Sequence, residues 1–205
     1  MKKNTIIIIV VIAAVAIAVF CAAAAIAVFW GIGVHNKLVR LDESVGGQWA
    51  NVENQYQRRS DLIPNLVATV KGYAAHESET LEGVIAARSR ATQVTVDAES
   101  LTPENLQKYQ AAQGELSSAL GRLLMITENY PDLKANQNFL ELQAQLEGTE
   151  NRISTERMRF NETAKEYNTQ IRRFPASFIA NMGGFERKPY FEAKEGSEIA
   201  PTVEF

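Results

Sequence analysis

The sequence predicts an all-α protein: an N-terminal transmembrane helix, then an antiparallel four-helix bundle with a short C-terminal helix and a mobile tail. Three observations predict it. Residues Ile6 to Val34 form a run of 29 positions without a charge, 27 of them apolar. Beyond that run, apolar and aromatic residues recur at three- and four-residue steps, the period of an amphipathic helix, and no strand-like alternation competes. Glycine and proline are sparse until the C-terminal end. The expected organisation is an anchor over residues 1–34, a helical bundle over 35–192 and a disordered tail over 193–205.

A bilayer core of roughly 30 Å needs about 20 apolar helical residues, so the first run spans it with some tilt. Phe29 and Trp30 stand near one end, where aromatic rings favour the interface. A signal peptide would offer Lys2 and Lys3 as its basic start and Ala25-Ile26-Ala27 as a cleavage site. The apolar run is too long for one and continues past Ala27, so an uncleaved anchor is expected. Phe20 before Cys21 excludes a lipoprotein. Positive charge flanking the run is nearly level, tipped inward by the α-amine beside Lys2 and Lys3. A single pass with the N-terminus inside and the soluble domain outside the cytoplasm, in the periplasm, follows. Ala14, Ala18 and Ala22 recur every four residues, as do Ala23, Ala27 and Gly31, a spacing that lets two membrane helices approach closely. Alanine is common throughout this segment, so some such stripe would arise without any role.

From His35 onward 19 Lys+Arg face 24 Asp+Glu, a mildly acidic soluble domain with material for one core. No Lys/Arg cluster exceeds a pair, which argues against a nucleic-acid partner. Cys21 stands alone inside the apolar run, so it forms no intramolecular disulfide and reports nothing about the redox compartment.

Four apolar stripes follow. Leu38, Leu41, Val45, Val52 and Tyr56 make the first, flanked by Gln48 and Trp49. Ile63, Leu66, Val70, Tyr73, Leu81, Val84 and Ile85 make the second, with Glu77 filling one turn. Leu106, Tyr109, Leu116, Leu120 and Leu123 make the third. Phe139, Leu142, Leu146, Ile153, Phe160, Ala164, Tyr167 and Ile171 make the fourth. Four seams in one domain suggest a bundle. Thr102 caps and Pro103 opens the third helix, with Leu101 and Leu106 as a hydrophobic staple. Tyr130-Pro131 ends it. Pro64 either kinks one long helix or lies in the first turn of a new one capped by Asp61, and the break is the preferred reading. Phe174-Pro175 interrupts the last long helix and Met182-Gly183-Gly184 ends a short one. No flexible linker separates Gly33 from Leu38, so the membrane helix is expected to run directly into the bundle.

Several segments now form a pattern: Asn36-Lys37-Leu38-Val39, Arg58 to Val67, Val70 to Glu77, Glu128 to Asn136, and Leu146 to Ile153. With Tyr167-Asn168, Phe174-Pro175 and Gly184-Phe185 in the same order, residues 34–192 resemble the LemA family. Ser60 departs from the aromatic common at that position of the family motif. The resemblance implies a bacterial membrane-anchored antiparallel four-helix bundle and brings no activity with it. It associates the chain with membrane proteases and envelope-stress components, and one relative contributes to magnetosome membranes.

A search for chemistry returns little. His76-Glu77-Ser78-Glu79-Thr80 starts like a zinc-protease motif, but the second histidine is replaced by Thr80. The two Glu-x-x-His pairs of a di-iron bundle are absent, since Tyr73 and Ile32 precede His76 and His35 by three. His76 reads as a polar helix residue near a loop. No nucleophile elbow, phosphate loop or dinucleotide fingerprint occurs, and Glu77, Glu79 and Glu82 read as a solvated helix face. No catalytic, metal or cofactor residue is assigned. The remaining polar candidates lie on or beside the seams: Arg58, Arg59, Asp61, Asn129, Asn151, Arg152, Asn161 and Asn168. They are read first as register and cap residues, and second as a recognition surface. Val203-Glu204-Phe205 has the pattern of a C-terminus that adds to a sheet edge in a PDZ-like pocket, one that many unrelated tails share.

The functional expectation is a non-enzymatic membrane-anchored scaffold that organises the cell envelope. Its partners would be the lipid bilayer and further copies of itself as a homo-oligomer. The alternative is a monomeric adaptor that presents its bundle or C-terminal tail to a membrane partner such as a protease or an envelope-stress protein.

Overall fold

A computed structural model describes residues 2–192, with side chains from residue 11 onward and that of Ile8. The tail, with Val203-Glu204-Phe205, lies outside the described residues. Six helices follow one another: α1 (Lys2–Lys71), α2 (Ser78–Gln93), α3 (Pro103–Thr127), α4 (Pro131–Lys134), α5 (Gln137–Arg172) and α6 (Ala176–Met182). Among the described residues there is no strand. The all-α expectation holds, and so does the absence of a linker after Gly33.

The preferred break at Pro64 is corrected: α1 passes through it as one helix. Proline lacks the N–H that would bond the carbonyl four residues back. That carbonyl belongs to Ser60, and the Arg88 Nε donates to it at 2.9 Å. A side chain from α2 replaces the missing helical bond, so the kinking cost is offset by tertiary contact. Asp61 caps nothing, since its carboxylate accepts from the Gln57 Nε2 at 2.7 Å within α1. The Arg88→Met variant is expected to lose about 1 kcal/mol. In a Pro64→Ala background the loss should fall toward zero, because the restored N–H satisfies Ser60. A double-mutant cycle in urea measures the difference.

The chain reverses instead after Lys71. The amides of Tyr73 and Ala74 both fold back on the Val70 carbonyl, at 3.0 and 2.8 Å. His76 is therefore in the α1–α2 turn and exposed, not on a helix. The second stripe is split accordingly, with Ile63, Leu66 and Val70 on α1 and Leu81 and Val84 on α2. Tyr73 and Ile85 are exposed. The other boundaries stand as expected. Thr102 accepts the Asn105 amide at 3.2 Å and caps α3, and Gly184, at φ 69°, turns the chain after α6 in the left-handed region glycine favours.

The chain divides into two compact units. The first comprises Met1–Asp42 and Tyr167–Arg187. Its apolar helix is long and apolar enough to cross a membrane and is unburied there. Beside it lies α6: a Cβ added to Gly31 would stand 3.5 Å from the Ile179 Cδ1, and the rings of His35 and Phe185 meet edge-on at 5.4 Å.

The second unit comprises Glu43–Glu166 with Lys188 onward. Along α1 a strict seven-residue seam is buried: Val45, Val52, Arg59 and Leu66, interleaved with Trp49, Tyr56, Ile63 and Val70. Trp49, expected beside the seam, is in it. Along α3 the buried seam is Leu106, Tyr109, Gln113, Leu116, Leu120, Leu123 and Thr127. These seams stack three layers. Trp49, Tyr56, Tyr109, Phe160 and Phe191 form an aromatic layer. Arg59 and Gln113 form a polar layer. Ile63, Leu66, Leu81, Val84, Leu116, Leu123 and Leu146 belong to a mainly aliphatic one that also takes in the Phe139 ring. The aliphatic residues follow the polar layer in α1 and α3 and precede it in α2 and α5, so successive long helices run antiparallel.

Candidate functional site

Among the described residues Arg59 is the one buried charged residue, and it sits in the polar layer. Arg59 takes a seam position of α1 at 2% exposure. Its Nη1 donates to the Ser117 Oγ at 2.8 Å and to the Glu150 Oε2 at 3.0 Å. Its Nη2 donates to the Gln113 Oε1 at 2.7 Å and to the Gln113 backbone carbonyl at 3.2 Å. The guanidinium also stacks 5.1 Å from the centre of the Tyr56 ring. Gln113 passes the link onward by donating its Nε2 to the Ala91 carbonyl at 3.3 Å. One cation thus joins α1, α3 and α5, and Gln113 adds α2. The Arg59 Nε and the Ser60 Oγ are buried without a protein hydrogen-bond partner.

A cleft of about 460 Å³ opens onto this layer, lined by Arg59, Gln107, Gln110, Glu150, Arg157 and Glu192 among others. Its chemistry is neutral donors and acceptors, with two guanidinium groups, Arg59 and Arg157, and two carboxylates, Glu150 and Glu192. Guanidinium stays protonated at any working pH and cannot serve as a base, and the facing oxygen of Glu150 is engaged with Arg59. The arrangement fixes which helix faces meet, because a shift of one turn would strand a buried charge. Among the described residues no group of three or more His, Cys, Asp or Glu side chains is placed to hold a metal ion.

The aromatic layer below is closed by the segment after α6 that belongs to the same unit. Asn161 clamps Phe191 on both sides, its Nδ2 donating to the Phe191 carbonyl at 2.9 Å and its Oδ1 accepting the Phe191 amide at 2.8 Å. Phe160 meets the Phe191 ring edge-on at 5.4 Å, Trp49 stacks on it at 5.9 Å, and Arg157 sits 4.7 Å above it. Trp49 Nε1 donates to the Val96 carbonyl at 2.7 Å, drawing in the α2–α3 loop.

Burial sets the ionisation of this region. It pushes the Tyr56 and Tyr109 hydroxyls above the ordinary phenol range, with Glu53 adding to the effect at Tyr109. Burial, and then Asp97, raise the Glu53 carboxyl above its usual value, against a smaller opposing hydrogen bond from Trp49. A carboxyl raised in the folded state contributes stability below its unfolded pKa and loses it as pH rises through the folded value. Glu53→Gln is therefore expected to stabilise the bundle at pH 7, with the gain shrinking as pH falls to about 4. Urea midpoints of both proteins across that range check it.

The remaining sequence candidates fall apart in space. Arg58, Asn129 and Asn151 are exposed. Arg152 is exposed as well and donates to the Gln55 Oε1 at 3.3 Å and the Thr149 Oγ1 at 2.9 Å. Asn168, at 3% exposure, is in the first unit and Asn161 in the second. Of the membrane-segment residues, Ala14, Ala18, Ala22, Ala23 and Ala27 are exposed and Gly31 is half-buried. Sequence reasoning missed Gln113, Ser117 and Arg88. The first had a legible signal: it interrupts the three-and-four spacing of α3 between Tyr109 and Leu116, as Arg59 does between Val52 and Leu66 in α1.

The profile of the LemA family matches residues 48–205. The chain belongs to the LemA family. It is 28% identical to the magnetosome protein MamQ of Magnetospirillum gryphiswaldense over 193 residues, covering 82% of this chain and 70% of that protein. It is 27% identical to magnetosome protein MamQ 2 of Paramagnetospirillum magneticum over 182 residues, covering 80% of this chain but only 66% of that one. Protein LemA of Metamycoplasma hominis is 25% identical over 176 residues, covering 86% of this chain and 77% of the relative. None of these names states an enzymatic activity. Family membership and the apolar N-terminal helix together make this LemA-family chain a membrane-associated helical protein.

Proposed function

We propose that this protein is a non-enzymatic scaffold of the bacterial cell envelope, anchored by one membrane helix, with its bundle outside the cytoplasm and several copies assembled together. The observation that carries the reading is α1 itself. One uninterrupted helix holds both the unburied apolar segment, with its Ala14–Ala18–Ala22 and Ala23–Ala27–Gly31 stripes, and the seven-residue seam of the bundle. A tethered enzyme needs no such continuity, whereas an assembly that uses helix packing in the membrane gains from it.

Native mass of the full-length protein in mild detergent tests the proposal, beside a chain starting at His35 and a full-length Ala18→Leu/Ala22→Leu variant. A defined assembly is expected that collapses without residues 1–34 and weakens when the stripe is filled. A monomer in every sample overturns it. In that case the cleft beside Arg59 and Glu150 favours the second reading, an adaptor monomer that presents its bundle to a membrane partner, and pull-down from solubilised membranes would identify that partner.

A further inference from the structure

In α6 the large and small apolar side chains are reversed from what a helix of a water-soluble domain shows. Its buried positions are alanines, Ala176 at 4% and Ala180 at 1% exposure. Its outer face carries Phe178 at 64% and Met182 at 85%, and Phe174, four residues before Phe178, is 76% exposed. Phe174 and Phe178 also stack edge-on at 6.0 Å, making one apolar ridge. Three large apolar side chains in a single stripe facing out is a costly arrangement in water, at about 25 cal/mol per Å² left exposed. Among the described residues of the unit nothing covers them.

The position of α6 says what does. Ile179 stands against Gly31, and Phe185 against His35, so the short helix lies alongside the last turns of the apolar run. Gly31 is three residues, or roughly 4.5 Å of helix rise, before the run ends at Val34. Phe29 and Trp30, at 76% and 45% exposure, occupy the same level, where aromatic rings favour the membrane interface. Exposed Arg172, Arg173 and Arg187 flank α6, with Glu186 as the acidic neighbour, so the balance there is cationic. Guanidinium groups on long stems reach phosphate while their apolar neighbours stay in the acyl boundary.

We propose that α6 is a second membrane contact, an interfacial helix whose Phe174, Phe178 and Met182 ridge is buried in the headgroup and acyl boundary of the bilayer that the N-terminal helix crosses. Such a helix settles about 5–10 Å into the boundary. The ridge extends the apolar surface of the anchor sideways, and the three arginines meet lipid phosphate. The inference rests on the membrane reading of α1 and not on assembly, so it stands whether the protein is a monomer or an oligomer.

Spin labels on the full-length Cys21→Ala protein in nanodiscs of phosphatidylethanolamine and phosphatidylglycerol test it. Phe178→Cys and Met182→Cys are the reporting sites, the second guarding against a local defect at the first. Val28→Cys marks the lipid-embedded reference and Met125→Cys the aqueous one. Both α6 sites are expected to collide readily with oxygen and several-fold less with a nickel chelate than Met125→Cys does. Chelate accessibility equal to that of Met125→Cys would place the ridge in water and overturn the proposal. Protection from both reagents, with spin–spin broadening that vanishes on dilution with unlabelled protein, would overturn it in favour of a second copy on this face. A water-like reading at Val28→Cys would instead overturn the anchor reading, and this inference with it.

Discussion

Trp49→Ala is expected to destabilise the bundle by about 3–5 kcal/mol. The indole is 1% exposed and touches aromatic rings from three other segments, Tyr109 on α3, Phe160 on α5 and Phe191 beyond α6. Its removal leaves a cavity that rigid rings cannot refill, and strands the Val96 carbonyl that its Nε1 satisfies. For a domain of ordinary stability, about 5–15 kcal/mol, this is a fifth or more of the total. Trp49→Phe goes part of the way to separating the two, because it keeps a ring in the layer while removing the donor and the smaller ring that carries it. It should cost about 1–2 kcal/mol and loosen the α2–α3 loop first. Urea unfolding followed by helical circular dichroism measures both. A Trp49→Ala cost below about 1 kcal/mol would show that the aromatic layer is not a closed core.

Glu150→Ala is expected to cost about 3 kcal/mol, and more than Arg59→Met does. The asymmetry follows from exposure. The Glu150 side chain is 57% exposed, so it is hydrated once Arg59 is gone. The Arg59 side chain is 3% exposed, so without Glu150 a buried cation has only neutral acceptors, Ser117 and Gln113, to face. Arg59→Met keeps the stem volume and loses its hydrogen bonds, leaving the Gln113 amide oxygen as the main unsatisfied group. The Arg59→Met/Glu150→Ala pair should recover much of the Glu150→Ala loss. If the double variant were as unstable as the sum of the singles, the ion pair would not be what holds the layer. The same pair separates stability from specificity: native mass and helix content of Arg59→Met report whether register survives once the polar layer is removed.

The apolar N-terminal helix, the helical class, the capped start of α3 and the family were legible in the sequence, because each depends on local chemistry. A charge-free run of the length of Ile6–Val34, a Thr-Pro pair ahead of an apolar period, and contiguous motifs such as Val70 to Glu77 carry their meaning without neighbours. Arg59 was singled out as a register or cap residue, beside an expected break at Pro64 that does not exist. Its role depends on partners 54 and 91 residues away, Gln113 and Glu150. No local pattern specifies such a pairing, since each of the four long helices carries exposed carboxylates.

Pro64 shows where sequence reasoning stops. By itself proline removes a helical hydrogen bond, and a break is the lowest-cost local answer. The tertiary structure supplies an Arg88 donor to the orphaned Ser60 carbonyl and keeps α1 whole. The orientation of α6 is of the same kind. Its composition is apolar on two sides, and only the contacts of Ile179 and Phe185 decide that alanine faces in and phenylalanine faces out. The sequence alone thus determined the helical class and which segment suits a bilayer, since periodicity and hydrophobicity are properties of neighbouring residues. Only the tertiary structure decided which polar groups meet in the core and which apolar face stays uncovered, since those depend on helices that the chain brings together from far apart.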